Sequence, residues 1–125
     1  METVLIDTSV LIGRFRREPR AMAALGKVEG STLVLCDAIV AEVLAGTRNR
    51  NEYAATKREL FDKFHVLPFT MEVSGCFRKI LDQVSLGRDI HFADQLIAAT
   101  AIAHSVPLLT LNTKHFKGIE GLTLA

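Results

Sequence analysis

Val4-Leu5-Ile6-Asp7-Thr8-Ser9-Val10-Leu11-Ile12 opens as a buried strand and is broken by an acid. The run Thr3–Ile6 is short, apolar and nearly free of polar alternation, the pattern of a strand covered on both faces of a sheet. Asp7 closes that run where an apolar residue would ordinarily stand. Two more acids occupy comparable settings. Glu42 interrupts Ala38-Ile39-Val40-Ala41 and Val43-Leu44-Ala45, and Asp94 precedes Leu96-Ile97-Ala98-Ala99-Thr100-Ala101-Ile102-Ala103. A buried charge costs several kcal/mol even after relaxation, comparable with the net stability of a marginal fold. It must therefore be paired, protonated or given a cation. Three like charges cannot pair with one another, so a bound metal ion is the reading that satisfies all three.

Outward from this stretch, three further apolar runs read as strands: Thr32–Cys36, Val66–Leu67 and Leu108–Leu111. Helical patterns lie between them. Ala21–Val28 follows Pro19 and ends at Gly30, and a helix from Asp37, read as its cap, runs to Ala45 before Gly46. Asn51–Phe64 carries Tyr53, Leu60, Phe61 and Phe64 on one face, and Met71–Leu86 is amphipathic and ends at Gly87. Phe92–His104 is apolar almost all round, as a helix buried against a sheet would be. Strands alternating with helices predict parallel pairing through right-handed crossovers. Without repeats, low-complexity tracts or linkers, residues 1–125 read as a single α/β domain. Ligands of open α/β sheets gather beyond the carboxyl ends of the strands. Asp7, Asp37 and Asn112 follow three of these strands, while Glu42 and Asp94 lie near the starts of two helices.

Composition narrows the function classes. Apolar residues make up 49% of the 125 and charged residues 23%, which excludes disorder. With a net charge of +1, any nucleic-acid binding must come from local clusters and metal ions rather than bulk charge. The densest basic stretches are Arg14, Arg16, Arg17 and Arg20, and Arg48, Arg50, Lys57 and Arg58. Cys36 and Cys76 form no CxxC and read as reduced, buried thiols. No apolar stretch is long enough to span a membrane, and Met1-Glu2-Thr3 leads into strand without a basic n-region, so a cytoplasmic protein is expected.

Four segments then align in order: Val4–Ile12, Ala41-Glu42-Val43-Leu44-Ala45-Gly46, Ala93-Asp94-Gln95-Leu96-Ile97-Ala98-Ala99-Thr100-Ala101, and Leu109-Thr110-Leu111-Asn112-Thr113-Lys114-His115-Phe116. Together they resemble the PIN-domain nucleases, and among them the VapC toxins of bacterial and archaeal toxin–antitoxin pairs. The resemblance spans essentially the whole chain. It implies a three-layer domain with a central parallel sheet of four to five short strands flanked by helices. It also implies an acidic pocket for Mg²⁺ or Mn²⁺, endonucleolytic cleavage of RNA, a homodimer, and a small antitoxin partner. Asp7, Glu42 and Asp94 match the three acidic motif residues, and Thr8 and Ser9 match the polar pair that fixes carboxylate rotamers. The last motif departs from the family pattern. Where an acid is frequent, this chain has Asn112 and, three residues on, His115. Asn112 can hold a metal-associated water but adds no charge, so a second metal site is not implied. Asp37 also replaces a small hydroxyl residue.

The chemistry follows from the residue types. Mg²⁺ is a hard ion that keeps several waters and takes one or two carboxylates, leaving room for a phosphate. Asp7 and Asp94 are assigned as metal ligands, and Glu42 as either a third ligand or the group that orients the nucleophile. His91 reads as a helix-end residue, and His65, His104 and His115 have no ligand-like neighbours in sequence. Phosphatase-like and receiver-like readings lack their second acid or phospho-acceptor, and dinucleotide binding lacks a GxGxxG. The alternative is a PIN-like module that binds RNA or protein without cutting. Retention of all three acids favours the nuclease.

Overall fold

The computed structural model describes residues 2–84 and 90–125. β1 (Thr3–Ile6) is followed by α1 (Thr8–Phe15) and α2 (Pro19–Lys27), then β2 (Thr32–Cys36), α3 (Asp37–Ala45), α4 (Arg50–Lys63) and β3 (His65–Leu67). α5 (Met71–Gln83), α6 (Phe92–Ala103), β4 (Leu108–Leu109) and α7 (Thr113–Phe116) complete the described residues. The sheet is parallel throughout, in the order β3-β2-β1-β4. Its strands are apolar along their length because helices cover the sheet: Val4, Leu5, Ile6, Leu35, Cys36 and Leu108 have no exposed surface. The expected four to five strands resolve as four plus a single parallel bridge, Leu108 to Leu124, beside the edge strand. Leu108 N–H donates to Thr123 O and Ala125 N–H to Leu108 O.

This strand order places the site. From β1 the chain builds outward through β2 and β3, then returns to the other side of β1 for β4. The crevice between the carboxyl ends of β1 and β4 is therefore a topological switch point, where crossovers diverge and leave room for a ligand.

Several elements differ from the sequence reading. α1 starts immediately after Asp7, where no helix was expected, because Val10 and Leu11 bury against the core and both their N–H groups bond Asp7 O. α2 begins at Pro19 itself, the first-turn position that suits proline, rather than at Ala21. Asp37 is not the cap of α3. Cys36 holds the cap position and Asp37 is the first helical residue, where its charge suits the positive end of the helix dipole. α4 is capped by Asn49, which accepts from Glu52 N–H, and it stops before Phe64, whose backbone is extended. The last strand is shorter than Leu108–Leu111, and α7 follows it. The expected end of the Met71–Leu86 helix, with Gly87, falls outside the described residues.

α6 is buried along Ile97–Ala101, as its apolar pattern predicts. Gly13 is required by packing. A Cβ there would stand 2.5 Å from that of Ala21, so α1 and α2 approach too closely for any side chain. Cys36 is a buried free thiol, pushed up to about 11 by burial, and Cys76 is free and half-buried. Among the described residues no helix is long and apolar enough to cross a membrane.

Candidate active site

Asp7 stands at the junction of β1 and α1 and is 3% exposed. Its N–H donates to Leu109 O at 2.9 Å, and its carbonyl accepts from Val10 and Leu11 at 3.0 Å, so β4 and α1 fix its backbone from both sides. Ser9 Oγ donates to Asp7 Oδ2 at 2.9 Å, and Thr110 Oγ1 donates to the same oxygen at 2.8 Å. Oδ1 takes neither bond. The hydroxyls are themselves held, since Ser9 Oγ accepts from Leu111 N–H at 3.1 Å and Thr110 Oγ1 from Asn112 N–H at 3.0 Å. These bonds lock the end of β1 to the end of β4.

Glu42 projects from the middle of α3 and is the most exposed of the three acids; Thr8 Oγ1 donates to its Oε1 at 2.7 Å. Asp94 lies in the first turn of α6 with its side chain 14% exposed, and its Oδ2 is 3.2 Å from His115 Nδ1. Burial raises the Glu42 carboxyl above its ordinary range. The Thr8 hydroxyl pulls it back, and the charges of Asp7 and Asp94 add to the rise. Burial, then the Asp7 charge, raises Asp94, and His115 partly offsets this. Three carboxylates that come from β1, α3 and α6 thus sense one another in one electrostatic site.

The donor set is all oxygen, which suits a hard cation. Among the described residues no three His, Cys, Asp or Glu side chains stand close enough to form a ready three-ligand cage. Mg²⁺ does not need one, because it retains several waters and binds through one or two carboxylates. Each acid is held through one oxygen, and its second oxygen has no side-chain hydrogen bond among the described residues. The residues present fit a hydrated divalent ion.

A family model described as the PIN domain matches residues 4–122. This chain belongs to the PIN-domain family. It is 32% identical over 123 residues to Ribonuclease VapC1 of Rickettsia felis, an alignment covering 95% of this chain and 92% of that protein. Its fold is similar to that in the VapBC-1 structure from nontypeable Haemophilus influenzae, with a TM-score of 0.82 at 22% identity over 98% of this chain and 96% of that one. A toxin–antitoxin complex from Klebsiella pneumoniae gives a TM-score of 0.75 at 26% identity, covering 96% and 95%.

In this PIN domain the remaining candidates are placed unevenly. Asn112 is exposed at the cap position of α7, and its side chain makes no capping bond. Its backbone, rather than its amide, is tied into the site. Two further residues belong to the site. Thr110 is a buried polar residue closing an apolar strand, the same signature that singled out Asp7. His115 has no ligand-like neighbour in sequence, yet its partner Asp94 lies 21 residues away in the chain and is brought in by folding. His91 caps α6 with its ring 6.2 Å from that of His115, while His104 Nε2 reaches Pro68 O at 3.0 Å. Of the basic residues, Arg20 bonds Leu111 O at 3.3 Å beside the site, Arg14 stacks over Phe64, and Arg48 pairs with Glu52.

Proposed function

We propose that this chain, residues 1–125 as one domain, is a Mg²⁺- or Mn²⁺-dependent endoribonuclease and the toxin of a toxin–antitoxin pair. The observation that carries the reading is the convergence of Asp7, Glu42 and Asp94 on the β1–β4 crevice, each braced through a single oxygen. Its relatives' names, a ribonuclease and a toxin–antitoxin complex, support it.

Asp7 and Asp94 are the metal ligands in this reading. A bound divalent ion supplies charge neutralisation at the scissile phosphate and acidifies water for in-line attack. The hydroxyls of Ser9 and Thr110 keep the Asp7 carboxylate in one rotamer, so no reorganisation is needed as charge develops. Glu42, with its proton affinity raised by burial and by its acidic neighbours, orients the attacking water and accepts its proton. Asn112 holds a further water at the rim. Arg20, tethered at Leu111 beside the site, is a cation available to meet an RNA phosphate.

The antitoxin seat is assigned to the α3–α4 surface. Tyr53 and Phe61 are 42% and 46% exposed there, and they border a shallow depression with Ala41, Leu44 and Lys57. An exposed apolar furrow of this kind receives an amphipathic segment. Phe64, at the end of the same helical pattern, is not part of this seat, because it packs on the core under Arg14. Tyr53→Ala should weaken antitoxin binding while leaving RNA cleavage intact, and light scattering should report a homodimer.

The deciding experiment is cleavage of a single-stranded RNA by purified protein with Mn²⁺, repeated with chelator and with Asp7→Asn and Asp94→Asn. Cleavage that survives chelation, or survives in either variant, rejects the metal-nuclease reading. Folded protein that binds RNA without cutting it supports the binding-module alternative.

A further inference from the structure

We infer that His115 is the positioning residue for Asp94, the counterpart of the hydroxyls that hold the other two acids. This rests on the assignment of Asp94 to the metal site. Asp7 is gripped at Oδ2 by Ser9 and Thr110, Glu42 at Oε1 by Thr8, and Asp94 at Oδ2 by His115 Nδ1. The imidazole supplies for the third acid what hydroxyl groups supply for the first two. With Nδ1–H donating to the carboxylate, Oδ2 is committed and Oδ1 takes no bond from the ring.

His115 is suited to this because its backbone is pinned. The next residue, Phe116, is 1% exposed in the core, and the start of α7 is tied to Thr110 through the Asn112 N–H. Thr110 in turn holds Asp7. One short segment, Thr110 to Phe116, thus orients two acids that come from β1 and α6. Only the His115 side-chain torsions remain to be ordered, a small entropic cost for fixing a carboxylate. A carboxylate with one oxygen engaged by a fixed donor presents the other in a defined direction, and losing such a partner typically weakens metal binding about 10–100-fold.

Side-chain isosteres separate the roles of the two ring nitrogens. The amide nitrogen of Asn mimics histidine Nδ1, and that of Gln mimics Nε2. The test is calorimetric titration of the free protein with Mn²⁺, without RNA, on His115→Ala, His115→Asn, His115→Gln and Asp94→Asn, with thermal melts of each in chelator. Mn²⁺ affinity should fall about tenfold in the Ala and Gln variants and stay within about threefold of the parent in the Asn variant. Parent-like affinity in His115→Ala, or retention by Gln with loss in Asn, overturns the proposal. If the Ala variant does not fold, the Asn and Gln pair decides alone, and equal affinities in those two overturn it. Asp94→Asn separates the two levels. Unchanged Mn²⁺ binding there removes Asp94 from the metal site and His115 with it, whereas loss in Asp94→Asn with no effect of His115→Ala removes His115 alone.

Discussion

Thr110→Val removes one hydroxyl and leaves the side-chain shape almost unchanged. In the folded protein Thr110 is 8% exposed, donates to Asp7 Oδ2 at 2.8 Å and accepts from Asn112 N–H at 3.0 Å. A hydrogen bond to a charged group is worth about 1.5–3 kcal/mol net. Asp7 is 3% exposed, so water cannot readily replace the lost donor; Asn112 is at the surface, so its N–H can turn to solvent. The expected loss is therefore about 2 kcal/mol, dominated by Asp7. For a domain of this size that lowers Tm by about 6–10 °C. Urea and thermal melts in chelator measure it, and Thr110→Ser should recover most of the loss. The charge of Asp7 gives a sharper check. In an Asp7→Asn background the acceptor is neutral and the bond about half as strong, so the cost of Thr110→Val should shrink by about 1 kcal/mol. A Thr110→Val protein within about 0.5 kcal/mol of the parent would refute the claim that Thr110 braces Asp7, as would a cost unchanged by Asp7→Asn.

Asp7→Asn and Asp94→Asn should each abolish metal-dependent cleavage yet melt no lower than the parent. For Asp7 the reason is specific: both hydroxyls donate to one oxygen, so an amide carbonyl in that position keeps both bonds, and the relief of repulsion with Glu42 and Asp94 offsets their weakening; a large fall in Tm would contradict this. Glu42 and Asp94 have folded-state carboxyls pushed up, so their contribution is fully present below the unfolded-state pKa and is lost as pH rises through the folded value. Metal-free protein should therefore gain stability from this site as pH falls from neutrality toward the carboxylate range, and Glu42→Gln should flatten that part of the curve; a parent-like slope in Glu42→Gln would count against it. Mn²⁺ titration of the free protein should show one tight site, and Asn112→Asp should tighten binding by adding a fourth charge; two equally tight sites in the natural sequence would overturn the one-ion reading.

Local pattern carried the fold class and the three acids. An apolar run closed by Asp7, two apolar helices interrupted by Glu42 and Asp94, and strands alternating with helices required no knowledge of which parts touch. Each is a statement about burial against charge, and burial is written into short-range hydropathy. Local pattern failed where competition between neighbouring forces decided the outcome. α1 was hidden because eight residues carry too weak a periodicity, and it forms because Val10 and Leu11 are buried. Asp37 looked like a cap and lost the position to Cys36, because the helix begins directly after the strand, with Asp37 already in its first turn. What the tertiary structure alone decided is the wiring of the site. The hydroxyls of Ser9 and Thr110 meet on one Asp7 oxygen because β4 lies beside β1, which follows from the strand order and from nothing local. His115 reaches Asp94 across 21 residues because α7, following β4, packs against α6. Hydrogen bonds between distant segments leave no periodic trace in a sequence; those at Asp7 come into being only when the sheet brings the carboxyl ends of β1 and β4 together at the switch point.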